Sequence, residues 1–288
     1  MFSDDDAAEL YDLLNPWDPG RWPTDRFYDE LVMAAGSVLD VGCGTGAMLH
    51  RAREQGHLGR LVGLDPDHAA LTRARLRSHT EQRSGTERVD GIEWVDGVAS
   101  DADWQAEFDL ATMTSNAFQC LVTDEDLRAS LVAVHRALRP GGRFAFETRH
   151  PQARAWESWN PAEVSEVQLP DGRGLRLWHE VESVSGDVVT FAETTADPDG
   201  GVLRVDRTSL RFLDVEPLRA FLTEAGFELE GQYGDAQRGP LTATSRQIVT
   251  IARRPRPADR QGAAWRPADS LLLRHSRRSR QYGRTACR

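Results

Sequence analysis

The chain has 288 residues, 40% of them hydrophobic, which is ample for a large core, and no apolar run nears the roughly 18 residues that a membrane helix needs. The formal net charge of −10 is uneven: from Arg253 onward 11 Arg face 2 Asp, a tail of +9 on a body of −19, and a body so acidic excludes nucleic acid as the substrate because phosphate binding needs a basic stripe. The acidic start, Met1 to Asp6, is not a secretory leader, and Cys43, Cys120 and Cys287 are too few and too scattered for a disulfide framework or a zinc site, so a cytoplasmic protein with no metal and no membrane anchor is expected.

Residues 1–30 hold Tyr11, Trp17, Trp22, Phe27 and Tyr28 interrupted by Pro16, Pro19, Gly20 and Pro23, a mix that predicts a helix, a turn-rich link and a second helix. The run Val38-Leu39-Asp40-Val41 then predicts a buried parallel strand, and Gly42-Cys43-Gly44-Thr45-Gly46 a tight turn opening a helix over 47–55. Glycines at such a turn let the backbone approach a ligand at the helix N-terminus, with Cys43 as a small filling residue. Gly42-x-Gly44-x-x-Ala47 also fits the dinucleotide fingerprint, so a nicotinamide-dependent oxidoreductase stays an alternative at this point. Asp40 discriminates, since a carboxylate at the strand end repels a pyrophosphate and attracts an ammonium or sulfonium. A second acid, Asp65, ends the next apolar run, Leu61 to Asp65, at the distance expected of a ribose-binding group.

Asp67 caps the following helix, and Ser78 to Asp90 is a polar link. Gly91 to Val95 is the third strand and Phe108 to Met113 the fourth, followed by Thr114 to Gln119 where open α/β sheets bind ligands. Thr123 and Asp126 form a capping box ahead of the stripe Leu127, Leu131, Val134, Leu138. Pro140-Gly141-Gly142 ends that helix, and Arg143 to Glu147 begins strand five, with Arg149 and His150 at its end.

Val38 to Gly46, Gly63 to Asp67 and Leu138 to Phe144, in that order, resemble motifs of class I S-adenosylmethionine-dependent methyltransferases over roughly residues 25–150. The resemblance implies an α/β, Rossmann-like seven-stranded sheet with the last strand antiparallel. It also implies S-adenosylmethionine as cofactor, bound by Asp40, Gly42, Cys43, Gly44, Gly46, Asp65, Pro66 and Met113, with Tyr11 and Tyr28 contacting it from the N-terminal cap. Where relatives place a Gly-Asp-Ala after strand three, this chain has Gly97-Val98-Ala99, which leaves the adenine to backbone groups of Val98 and Ala99, with Asp101 the next candidate.

From 155 to 213 three alternating runs, 175–184, 188–195 and 202–213, predict a three-stranded antiparallel meander inserted after strand five, roofing the acceptor site or forming a homodimer contact. Asp214 and Pro217 then open a helix, and 227–233 with 247–252 close the sheet. The expected organisation is therefore a helical cap (1–30), a methyltransferase core (31–154 and 214–252), the β insertion (155–213) and an unstructured basic tail (253–288).

Methyl transfer from a sulfonium requires alignment and dryness more than machinery. If a proton must leave the acceptor, His150 is the sequence candidate for the base, with Glu147 and Tyr233 behind it. Asn116, Gln119, Arg149 and Tyr233 are the expected acceptor-site residues. A small-molecule acceptor taking the methyl on oxygen or nitrogen follows from the acidic body and from the lack of an Asp/Asn-Pro-Pro-Tyr motif after strand four. A methyltransferase-like protein that binds without catalysing stays as a third reading, given the missing Gly-Asp-Ala acid.

Overall fold

The computed structural model describes residues 2–81, 91–257 and 259. Helices α1 (Asp4–Leu14) and α2 (Pro23–Ala34) precede β1 (Ser37–Val41), α3 (Ala47–Glu54), β2 (Arg60–Asp65), α4 (His68–Glu81), β3 (Glu93–Asp96), β4 (Phe108–Met113), α5 (Asp124–Ala137) and β5 (Leu138–Arg149). The insertion follows as β6 (Ser165–Gln168), β7 (Gly174–Ser185), β8 (Val188–Ala196) and β9 (Val202–Arg211), and α6 (Val215–Glu224), β10 (Glu228–Tyr233) and β11 (Gln247–Arg253) complete the chain.

The main sheet has the order β10-β11-β5-β4-β1-β2-β3, with β1 to β5 parallel and β11 antiparallel to both neighbours. All five residues of β1 are buried because strands flank it on both sides: Val38 pairs with Leu61 and with Leu110. A central strand of this kind is apolar throughout, so the one carboxylate in it, Asp40, is conspicuous. Strand order reverses beside β1, which puts the crevice for a ligand above Asp40 and the glycine turn.

Two expectations on extent are corrected. The insertion has four strands, because Pro170-Asp171-Gly172 turns the chain and pairs the short, polar β6 with β7. The tail does not begin at Arg253: Arg254 exchanges backbone hydrogen bonds with Gly141 and Gly142 (2.7 and 2.8 Å), and its guanidinium caps α5 through the carbonyls of His135, Arg136 and Leu138. The rest of the expected tail lies outside the described residues, apart from 255–257 and 259. Strand five also starts earlier than expected, with Arg139 to Gly142 accommodated as an irregularity between the Phe108–Leu138 and Leu110–Arg143 pairs. No helix among the described residues is long and apolar enough to cross a membrane.

Helix α1 belongs as much to the insertion as to the core. Phe2, Ala7 and Leu10 pack with Leu169, Leu175 and Leu177, and Asp4 and Asp6 pair with Arg204 and Arg173 at 2.6 Å each. At its other end Asp12 receives Arg73, Arg77 and the Thr45 hydroxyl of the glycine turn. The cap thus bridges the two sheets.

The Trp94 ring closes the underside of the turn. A Cβ on Gly46, which sits at φ 74° as the N-cap of α3, would lie 2.1 Å from Trp94, and one on Gly63 2.5 Å away. Gly46→Ala is therefore expected to destabilise the chain by about 2–3 kcal/mol from overpacking plus left-handed strain. Pairing it with Trp94→Leu should recover at least half of that loss in chemical denaturation; strictly additive effects would show that the ring is not the obstacle.

Candidate active site

One cavity of about 600 Å³ runs from the glycine turn, beneath α1 and α2, to the inner face of the insertion sheet. That volume suits a cofactor together with a small acceptor. Of the sequence candidates, Tyr11, Tyr28, Asp40, Gly42, Cys43, Gly44, Asp65, Asn116 and Arg149 line it.

The acids are held before any ligand arrives. Asp65 accepts the Gly44 and Asp67 backbone amides at 2.7 Å each, one per carboxylate oxygen, which fixes the turn against the end of β2. Asp40 is 1% exposed and accepts the Thr112 hydroxyl at 2.8 Å. Burial pushes its carboxyl up to about 7, the Thr112 hydrogen bond opposes this, and the charges of Asp65 and Glu147 add to it. Glu147, also raised chiefly by burial, accepts the Tyr28 hydroxyl on one oxygen and the Asn116 amide (2.9 Å) on the other. The second bond stabilises a costly loop, because Ser115 and Asn116 are consecutive non-glycine residues at φ 54° and 62°. Burial likewise raises the Tyr28 phenol well above its ordinary value, with the Glu147 charge next, so it stays a neutral donor. Tyr11 is raised by burial too, against a hydrogen bond with Ser115.

Arg149 is the one guanidinium among the described residues lining the cavity, which also presents seven carboxylates, those of Asp25, Asp40, Asp65, Asp67, Glu147, Glu193 and Asp206. Burial lowers its pKa, while the charges of Glu147 and Tyr11 oppose the fall. It is steadied by Gln119 Oε1 at 3.1 Å and lies 5.4 Å from the Trp159 ring centre. Gln119 itself is fully buried, bonded to Arg149 and to the Arg211 carbonyl (3.0 Å), so it positions Arg149 and does not face the cavity.

Several candidates lie elsewhere. His150 is 2% exposed, caps the turn 151–153 by accepting the Gln152 amide on Nδ1 (3.2 Å), and does not line the cavity. Glu147 and Arg149, which share one strand phase, reach the crevice; His150, the next residue, turns into the capping role. Tyr233 packs its ring over Gly231, where a Cβ would come within 2.4 Å of the hydroxyl, and it too is off the cavity wall. Met113 lies in the apolar core, Gly46 beneath Trp94, and Pro66, Val98 and Ala99 beyond the lining.

The sequence reading missed Thr45, Thr112, Ser115, His179, Glu193 and Asp206. A signal existed for His179 and Glu193. Leu175, Leu177 and Val181 mark one face of β7, and Val189 and Phe191 the same face of β8, so His179 and Glu193 are polar residues in an apolar phase.

The arrangement fits a sulfonium cofactor. Gly44 turns open space toward the cavity, and the acids around it leave no place for a diphosphate. Residues 38–142 match the family model described as a methyltransferase domain. Cypemycin N-terminal methyltransferase from Streptomyces sp. is 26% identical over 255 residues, covering 87% of this chain and 97% of that protein. The CcbJ methyltransferase from Streptomyces caelestis superposes with a TM-score of 0.67 at 21% identity, covering 88% of this chain and 97% of the other. An S-adenosylmethionine-bound amino pentose methyltransferase of calicheamicin biosynthesis, from Micromonospora echinaspora, does so with 0.59 at 23%, covering 85% and 96%.

Asp40 ties this site to stability. Between the ordinary carboxylate range and about pH 7 the unfolded chain has already released the proton that the folded chain still holds, so unliganded stability falls as pH rises through that window. Asp40→Asn should raise the unliganded melting temperature at pH 8 by several degrees and weaken S-adenosylmethionine binding about tenfold or more. An unchanged melting temperature at pH 8, or unchanged affinity, would contradict this assignment. The methyltransferase domain at residues 38–142, the sheet order and this acid-lined turn together support a class I S-adenosylmethionine-dependent methyltransferase.

Proposed function

We propose that the chain transfers the methyl group of S-adenosylmethionine to a nitrogen of a small-molecule acceptor held beneath the insertion sheet. The observation that carries this reading is the charge of the cavity, seven carboxylates against one guanidinium, continuous from the glycine turn to Glu193 and Asp206. A chamber of that sign concentrates ammonium groups and repels phosphorylated acceptors. Aromatic faces strengthen the preference, since Trp159 and Phe191 stand 4.6 Å apart on the roof and a π face attracts a cation. The amino pentose and N-terminal methyltransferases among the similar proteins support a nitrogen acceptor.

Bound in the cradle, S-adenosylmethionine supplies an electrophilic methyl on a cationic sulfur. The residues of this chain do the rest. Asp65 and the Gly44 amide shape the cradle, and Asp65 offers its carboxylate to ribose hydroxyls, as the resemblance implies. Asp40 and Glu147 place negative charge beneath the cationic centre. Tyr28, anchored by Glu147, fixes the cap from above, while Arg149 receives a carboxylate at the junction of the two halves. Helix α1 and the insertion share a wall, and this favours the roof over the dimer contact as the role of that sheet. Alignment of the two reactants in a dry site can contribute on the order of 7–11 kcal/mol to an in-line displacement.

The test is a product screen by mass spectrometry with D-glucosamine, benzylamine and an alanyl peptide, each beside its hydroxyl counterpart. Methylated amines and unmodified hydroxyl compounds are expected. Methylation of the hydroxyl compounds alone would overturn the choice of nitrogen. Asp65→Ala should abolish product formation in parallel with loss of S-adenosylhomocysteine binding.

A further inference from the structure

An amine that enters an acidic chamber arrives protonated, and an ammonium has no lone pair to offer. Something must take the proton, and His150, capping a turn off the cavity wall, is not placed to do so. The insertion supplies a histidine that is. In the register of its sheet His179 of β7 stands opposite Glu193 of β8, which stands opposite Asp206 of β9, a polar row on the face that meets the cavity. In the rows on either side Leu177 and Phe191 are buried, at 3% and 6% exposure. His179 Nε2 lies 2.9 Å from Glu193 Oε2, and the His179 ring is 5.7 Å from Phe191 and 6.4 Å from Trp159.

The carboxylate determines the tautomer. An ionised Glu193 can only accept, so Nε2 carries the proton and Nδ1 the lone pair, and no described hydrogen bond occupies Nδ1. Asp206 does not compete for the ring, because Arg204 holds both of its oxygens at 2.5 and 2.8 Å and is itself paired with Asp4 of the cap.

Resting on the nitrogen-acceptor reading, we propose that His179, positioned by Glu193, is the general base of this enzyme. An N–H proton of the acceptor ammonium passes to Nδ1. The lone pair so released forms the new N–C bond as the C–S bond breaks and leaves its electron pair on sulfur, and the proton then passes from His179 to water. Glu193 stabilises the imidazolium formed in between and is the positioning residue. Glu193 is the charge bonded to this ring; Asp206 stands one strand further along the same row and is paired with Arg204, and Arg149 lies over Trp159.

Full-length protein labelled with 15N-histidine and saturated with S-adenosylhomocysteine provides the test. Long-range ring correlations, assigned with His179→Gln, should show Nε2 protonated and Nδ1 bare, and Glu193→Gln, whose amide can donate as well as accept, should let the other tautomer appear. His179→Gln should bind S-adenosylhomocysteine as the wild type does. With any amine accepted in the product screen, that variant should lose about 100-fold or more in kcat at pH 7 and regain part of it at pH 9, where more of the amine is free. A proton on Nδ1, a tautomer indifferent to Glu193→Gln, or undiminished turnover by His179→Gln would overturn the assignment while leaving the nitrogen acceptor intact. Loss of S-adenosylhomocysteine binding by the wild type itself would instead reject the function on which it rests.

Discussion

The structure is organised by carboxylates buried around one cavity whose described lining holds a single guanidinium, that of Arg149. Asp40, Asp65 and Glu147 share this cavity, and the charges of Asp65 and Glu147 raise the cost of ionising Asp40. Hydrogen bonds offset part of that cost: two backbone amides reach Asp65, a hydroxyl reaches Asp40, and a phenol and an amide reach Glu147. What they leave uncompensated is a site that gains most from a ligand bringing positive charge. The same groups hold the local backbone in shape, since Asp65 clamps the turn and Glu147 holds the left-handed pair Ser115 and Asn116. Recognition and loop geometry therefore depend on the same side chains.

The second organising contact is α1. Its N-terminal half is bound to the insertion by apolar packing and two Arg–Asp pairs, and its C-terminal half to α4 and the glycine turn through Asp12. A helix so attached at both ends couples the wall of the cofactor half to the wall of the acceptor half. Exposed ion pairs contribute little stability singly, so the apolar cluster anchors the helix and the charges set its register.

The sheet and its cofactor were legible in the sequence because both rest on local patterns: uniformly apolar central strands, and an acid and three glycines at one turn. Asp40, Asp65, Gly42 and Gly44 line the cavity, along with Tyr11, Tyr28, Asn116 and Arg149, whereas Gly46 does not. His150 failed because one step at a strand end decides between crevice and cap, and such ends are set by turns that periodicity does not resolve. Tyr233 failed for a similar reason, its ring lying over the glycine at 231. His179 and Glu193 escaped notice because they are far apart in sequence and meet only through antiparallel register, although each interrupts an apolar phase. Strand β6 was missed because Ser-Glu-Val-Gln has no hydrophobic alternation of its own and is recruited by its neighbour.

The central claim is that buried negative charge selects a sulfonium, and proton linkage reads it directly. Calorimetry of S-adenosylmethionine binding at pH 7 in buffers of different ionisation enthalpy gives the protons exchanged, and subtracting the Asp40→Asn value isolates this carboxyl. Because burial raises the Asp40 carboxyl to about 7, a bound cation should expel part of a proton from it. A difference of zero, or net uptake of protons, would contradict the account.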